Sequence, residues 1–353
     1  SVPLADSGQV VFTGRVSLGT HPWLAEHAVE GTALLPGTGF LDLALHAADR
    51  TGADGVEDLT LEAPLTLAEQ GATVLQVTVG APDEAGRRPL GVHSRTGDDA
   101  DWIRHATGLL GAAPAAGPAD GASAGQAVWP PAGEPVDLGD AYGELLARGY
   151  AYGPLFQGLT ALWRDGDDLY AEVSLPEDTD TAGHSLHPAL LDAALHPLAL
   201  APAGRDGSGD SAEILLPFSF GGVRLHRTGA KALRVRLTRT GESSVALRLT
   251  DTDGAPVAEV ETLALRPLPA AELAALRSGG AADLPLYTVD WTTAAAPTPP
   301  AVGTWAVLGK HGDAFAAALG DAPVFTDATE LRAAVADGSL RLPDTVIAFL
   351  PSA

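Results

Sequence analysis

A six-residue phrase occurs twice in this chain, 150 residues apart. Leu41-Asp42-Leu43-Ala44-Leu45-His46 and Leu191-Asp192-Ala193-Ala194-Leu195-His196 agree at five of six positions. Each copy follows a proline closely and reads as a helix. In the first, Leu41, Ala44, Leu45 and Ala48 recur at i, i+3, i+4 and i+7, which gives one apolar face. Such a repeat constrains the chain toward one fold used twice. Two half-sites that face each other can then gather a His and an Asp from distant segments around one substrate.

The surrounding pattern supports duplication. Strand-like Val10 to Ser17 comes before a first helix expected over about 36–48, where Pro36 suits a helix start. Stretches near 56–67, 72–80, 88–95 and 101–110 alternate apolar and polar residues between Gly, Asp and Pro, as strands do. Residues 116–136 are rich in Ala, Gly and Pro and read as a linker. A helix near 138–148 ending at Gly149, a strand near 157–175 and a second helix from His187 to Leu200 follow. Strands are expected near 214–226, 231–240, 243–251 and 256–266. The fold class implied is α+β, with each antiparallel sheet curled around one long helix, over 1–115 and 137–275. From 276 onward the grammar changes. Thr304 to Leu308 and Thr345 to Leu350 read as buried parallel strands, with helices near 312–319 and 327–337, the start of an α/β unit. Its first turn, Gly309-Lys310-His311-Gly312, is not GxGxxG, so no nucleotide site is expected.

Charge and composition exclude several functions. The net charge is −24 and only two residues are Lys, so a nucleic-acid partner is not expected. No apolar run reaches the roughly 20 residues of a membrane helix, and no secretion leader is visible. The chain opens on Ser1 and not Met, as a piece of a longer protein would. With no Cys there is no disulfide, thiolate nucleophile or Cys-based zinc site, which fits a reducing, cytoplasmic compartment.

Two motifs carry chemistry. The first is His27-x3-Gly31-x4-Pro36, which leads straight into the first helix. A His beside a helix N-terminus lies near free N–H groups and the positive dipole end, which disfavours imidazolium and leaves a neutral base. The second is His187 to His196. Asp192 and His196 are four apart on one helix face, and the Leu and Ala around Asp192 are expected to raise its pKa and make it a usable acid. A loop histidine that merely caps a helix and a solvent-facing polar pair are the competing readings. His184, His187, Asp192 and His196 cluster in sequence but lack HExxH, and no metal is expected. Asp42 and His46, the repeat counterparts, read as structural or partner-facing. Gly149 to Gly158 is an aromatic turn that can place Tyr152 in a cleft. Leu215 to Phe220 reads as a strand lining the pocket, or as plain core.

Together these motifs resemble the dehydratase domain of bacterial modular type I polyketide synthases. The likeness is carried by His21-Pro22-Trp23-Leu24, the His27 to Pro36 frame, Gly149 to Gly158, His187 to His196 and Leu216-Pro217-Phe218, over roughly residues 1–275. Leu286-Tyr287-Thr288-Val289-Asp290-Trp291 resembles the opening of a ketoreductase structural subdomain, truncated here. The resemblance implies a double hotdog fold and syn loss of water from a (3R)-3-hydroxyacyl thioester to give a trans-2-enoyl thioester. It implies His27 as base and Asp192 as acid, with His196, Tyr152, Gly31 and Pro36 in support. Leu35, Gly153, Pro154, Phe156, Pro217 and Phe218 would shape the pocket. It further implies no cofactor, an acyl carrier protein and a neighbouring ketoreductase as partners, and a homodimer. A non-catalytic acyl-binding scaffold, a double-bond isomerase and an animal-type fatty acid synthase dehydratase remain as alternatives.

Overall fold

In a computed structural model, the described residues are 1–4, 7–97, 100–111, 129–200, 214–241, 243–268, 304–309 and 322–348. The chain divides into two compact units, Ser1–Leu284 and Pro285–Ala353. In the first unit the first repeat comprises β1 (Val2–Pro3), β2 (Val10–Val16), β3 (His27–Val29), β4 (Thr32–Ala33), α1 (Gly37–Thr51), β5 (Gly55–Leu61), β6 (Thr73–Val79), β7 (Arg88–Arg95) and β8 (Ile103–Gly111). A 3₁₀ turn, Pro22–Glu26, comes before β3. The second repeat comprises β9 (Glu134–Pro135), α2 (Ala141–Ala147), β10 (Tyr150–Tyr152), β11 (Leu159–Asp165), β12 (Asp168–Ser174), α3 (Pro188–Ala193) and α4 (His196–Leu200). It ends with β13 (Leu215–Leu225), β14 (Ala232–Arg239), β15 (Ser244–Thr250) and β16 (Pro256–Pro267).

The two repeats share one 13-stranded sheet, ordered β1-β2-β6-β7-β8-β5-β13-β16-β15-β14-β12-β11-β9. The seam is β5 against β13, antiparallel, from Ser219 opposite Thr60 to Arg224 opposite Gly55. Each seam strand follows its repeat's helical segment, and α1 and α3 pack against each other. Alternation fixes which sheet face meets them. On β14, Leu233, Val235 and Leu237 are buried while Arg236 and Arg239 are exposed. Helix α1 buries Phe40, Leu41, Ala44, Leu45, Ala47 and Ala48, and stops where Gly52 takes a left-handed φ of 73°. Full burial of a side chain such as Leu41 contributes about 1.5–3 kcal/mol.

The duplicated arrangement expected from the repeat, and the double hotdog that the resemblance implies, are present. Three elements differ from the sequence reading, each for a local reason. The strand expected over 157–175 is a hairpin, β11 and β12, which turns at Gly166 with φ 58°. The strand expected over 56–67 ends at Leu61, and the segment through Pro64 leaves the sheet with the Glu62 amide donating to the His105 carbonyl. The helix expected over 187–200 breaks between Ala193 and His196. Pro197 has no N–H to donate to Ala193, four residues back, and its ring opposes that carbonyl. All six residues of α3 are buried, Asp192 among them, as suits a helix apolar on every side.

In the second unit, β17 (Trp305–Leu308) lies parallel between β18 (Val324–Phe325) and β19 (Thr345–Ala348), with α5 (Ala328–Ala336) capped by Asp327. The helix expected near 312–319, the Gly309 turn beyond Gly309 itself, and residues 116–128 of the 116–136 linker lie outside the described residues.

Candidate active site

A small three-stranded sheet, β10-β3-β4, joins the repeats by backbone pairing. In it Tyr152 of the second repeat stands directly opposite His27 of the first. Glu26 reinforces this junction from both ends. Its carbonyl accepts the Gly153 amide at 2.8 Å and its carboxylate accepts the Leu155 amide at 2.6 Å. A side chain at Gly153 would run into Glu26, with a Cβ only 2.6 Å from Cγ, which explains the glycine in this turn.

His27 is buried, and its Nδ1 lies 3.1 Å from the Leu34 carbonyl oxygen. A carbonyl only accepts, so Nδ1 carries the proton and Nε2 keeps its lone pair. That Nε2 faces Asp192 Oδ2 at 3.9 Å, across the boundary between the repeats. On its other side Asp192 Oδ2 is 3.2 Å from His196 Nε2. His196 Nδ1 lies 3.3 Å from the Tyr142 hydroxyl, and the Tyr152 ring lies tilted against the His196 ring, centroids 4.3 Å apart. The Phe156 ring contacts His27 at 5.2 Å.

Burial lowers the His27 pKa against the opposing pull of the Asp192 charge, which favours a neutral imidazole. The expected neutrality is present but its cause is not. His27 sits in a strand ten residues ahead of α1, and desolvation is the first cause in place of a helix dipole. For Asp192 the structure corrects the sequence. Burial raises its pKa, but the His196 hydrogen bond, the nearby His27 and the Tyr152 hydroxyl together outweigh it and hold the carboxyl below its usual value. Leu and Ala are its sequence neighbours, whereas its spatial neighbours are two histidines and a tyrosine. Tyr152 is pushed well up by burial and by Asp192, so its hydroxyl keeps its proton.

His27, Tyr152, Asp192 and His196 line one cavity. Leu34, Leu35, Phe40 and the 61–64 segment form part of its wall, and Leu145, Leu198, Ala199 and Leu268 another. Pro217 and the α1 start, Gly37, also line it. Of the other residues singled out in the sequence, Gly31, Pro36, Gly153, Pro154, Phe156 and Phe218 do not. Gly31 makes the β3–β4 turn with φ 79°, Pro36 caps α1, and Phe156 is fully buried behind His27. Phe218 falls where β13 slips register against β16, and its ring lies 4.7 Å from the Arg266 guanidinium. Sequence reasoning missed Tyr142, Leu145, Leu198 and Ala199. Their only signal was apolar or aromatic helix positions with no motif around them.

Asp42 does not reach the cavity. Its carboxylate accepts from His184 Nδ1 at 2.7 Å, the Ser185 amide at 2.8 Å and the Leu186 amide at 3.3 Å. It thereby pins the segment that enters α3, beside a Thr38 hydroxyl donating to the Pro188 carbonyl at 3.1 Å. His187 caps α3 by accepting the Ala189 amide at 3.2 Å. Burial and His184 push the His187 pKa down to about 4. A His with an ordinary pKa near 6.5 when unfolded then binds its proton more readily in the unfolded chain. Its stabilisation is full above 6.5 and falls by about 3 kcal/mol as the pH drops toward 4. His187→Asn keeps a capping side chain, so melting temperatures measured between pH 7 and 4 should fall less steeply than in the parent.

Residues 1–95 match the family described as polyketide synthase dehydratase domain, and residues 120–275 that described as polyketide synthase dehydratase N-terminal domain. Polyketide synthase GfsA of Streptomyces halstedii is 47% identical over 356 residues, covering 99% of this chain and 5% of that protein. The chain thus spans about a twentieth of that relative's length. Among solved structures, a dehydratase described for the borrelidin and fluvirucin polyketide synthases is 45% identical with a TM-score of 0.69, covering 76% of this chain and 93% of that one. The erythromycin dehydratase is 43% identical with a TM-score of 0.66, covering 75% of this chain and 93% of that one. With His27 and Asp192 meeting across two fused hotdogs, and with likeness of this extent on both halves, the chain belongs to the polyketide synthase dehydratase domain family.

Proposed function

We propose that this domain removes water from a (3R)-3-hydroxyacyl thioester, carried on the phosphopantetheine arm of an acyl carrier protein, to give the trans-2-enoyl thioester. The observation that carries this reading is the buried His27–Asp192 pair, 3.9 Å apart, on the wall of a largely apolar cavity. The thioester carbonyl acidifies the α-proton, which His27 Nε2 accepts. As the Cα–Cβ double bond forms, the Cβ–O bond breaks and its electron pair stays on oxygen. Asp192 protonates that oxygen, and water leaves. Base and acid sit on the same side, as syn elimination requires. The first amides of α1 have no intrahelical acceptor, and Gly37 lines the cavity, so they are placed to stabilise the enolate-like oxygen. Gly31, outside the cavity, shapes the β3–β4 turn instead.

In the reactive form the His27–Asp192 pair holds one proton, on the carboxyl. After elimination the imidazolium faces the carboxylate across 3.9 Å and can return it directly. The pair must keep its one proton, and burial holds His27 below its ordinary 6.5, so kcat/KM should fall as the pH rises through that lowered range, beginning below neutrality. The chemistry calls on no metal or nicotinamide. His184 binds Asp42 and not Asp192, and among the described residues no three His, Asp or Glu groups converge at metal distance. Among the described residues no helix is long and apolar enough to cross a membrane. The carrier protein, an adjoining ketoreductase and a homodimer are partners proposed from the family likeness. The tail's α/β strands accord with a ketoreductase start. A net charge of −24 would not attract an acidic carrier, so tethering in one polypeptide would supply the effective concentration.

The test is a panel of carrier-bound 3-hydroxyacyl thioesters, varied in 3-configuration and 2-methylation and read by mass spectrometry. Loss of 18 Da from the 3R members, with the 3S members spared, is the expected result. No loss from any member would leave an acyl-binding scaffold, and migration of a 2-enoyl to a 3-enoyl bond without water exchange would indicate an isomerase.

A further inference from the structure

Helix α2 carries a tyrosine that no motif in the sequence singles out. The Tyr142 hydroxyl lies 2.9 Å from the Leu159 amide and 3.3 Å from His196 Nδ1. An amide N–H only donates, so the tyrosine oxygen accepts there, and its hydrogen remains available to Nδ1. His196 Nε2 faces Asp192 Oδ2 at 3.2 Å. With Nδ1 accepting, the neutral ring carries its proton on Nε2 and donates it to the carboxylate. The other tautomer would turn the Nε2 lone pair against that oxygen.

We infer that Tyr142 is a positioning residue that sets the tautomer of His196 and, through it, orients the Asp192 carboxyl toward the departing hydroxyl. This rests on the proposed dehydration for its kinetic consequence, but not for the tautomer itself. Both tyrosines contact the His196 ring: Tyr142 is edge-to-face at 5.7 Å and 82°, and Tyr152 lies tilted against it at 4.3 Å. Burial pushes Tyr142 up to about 12, so it remains a donor throughout the working pH range. The titratable groups that face Asp192 are His27, His196, Tyr142, Tyr150 and Tyr152. Of these, Tyr142 acts on Asp192 through His196.

The test uses the full chain with ¹⁵N-labelled histidine. Long-range ¹H–¹⁵N spectra should show His196 protonated on Nε2 in the parent, and shifted toward the Nδ1-protonated form in Tyr142→Phe. With a carrier-bound 3-hydroxyacyl substrate, Tyr142→Phe should lower kcat roughly tenfold with KM within about twofold. A glutamine at 196 donates an N–H without a tautomer to choose. In a His196→Gln background, adding Tyr142→Phe should therefore change kcat by less than about twofold. An unchanged His196 tautomer in Tyr142→Phe, or an equal loss in both backgrounds, overturns the assignment. If no variant and no parent dehydrates any substrate, the proposed reaction fails while the spectra still decide the role of Tyr142.

Discussion

Asp192→Asn is expected to lower kcat for dehydration roughly 10³-fold, within the range of general acid–base groups. The amide has nearly the same shape and can still meet His196 and Tyr152, so the fold should survive. What it lacks is a proton to give to the leaving oxygen. Asp42→Asn provides the comparison on the same repeated phrase. Asp42 accepts three hydrogen bonds at the entry to α3 and touches no cavity wall. Its replacement should cost about 1–3 kcal/mol of stability and less than about tenfold in kcat. Thermal melts and single-turnover mass spectrometry on both variants separate the two roles. A variant at position 192 that keeps a tenth of the parent rate would remove Asp192 from the acid's place.

The second large effect is expected at His27. Phe at this position fills the ring's volume but has neither Nε2 to take the α-proton nor Nδ1–H for the Leu34 carbonyl. The loss of base should again cost roughly 10³-fold in kcat. The carbonyl left without its donor should cost about 1–3 kcal/mol in stability. The two catalytic variants differ in a further readout. In deuterated buffer, α-proton exchange of a bound thioester needs the base but not the acid. It should vanish in His27→Phe and persist, slowly, in Asp192→Asn. Equal exchange in both would mean that the base lies elsewhere.

Much of this was legible before any coordinates. Leu41–His46 lies within α1 and Leu191–His196 runs from α3 to the start of α4, and β7 falls over 88–95 as the alternation there predicts. Local signals failed where distant partners decide. Pro197 split a helix that hydropathy read as continuous. The Asp192 pKa cannot be read from its Leu and Ala neighbours, because His27 reaches it from 165 positions earlier in the chain. Tyr142 was invisible for the same reason: 54 positions separate it from His196, and α2 carries no motif. Gly31, Gly153 and Phe156 were visible as special positions, but their work is to shape turns and support His27 from behind.

The two aspartates of the repeated phrase show how a duplicated fold divides labour. By the 150-residue offset, the Ser185 and Leu186 amides that hold Asp42 correspond to those of Leu35 and Pro36. The Leu35 amide is already spent on the Leu65 carbonyl at 2.9 Å, and Pro36 has no N–H at all. The first-copy carboxylate is therefore a bolt, whereas the second-copy carboxylate is left to face the cavity, although the phrases that carry them are nearly the same. The difference lies in the segments opposite, in one backbone hydrogen already engaged and one that proline lacks.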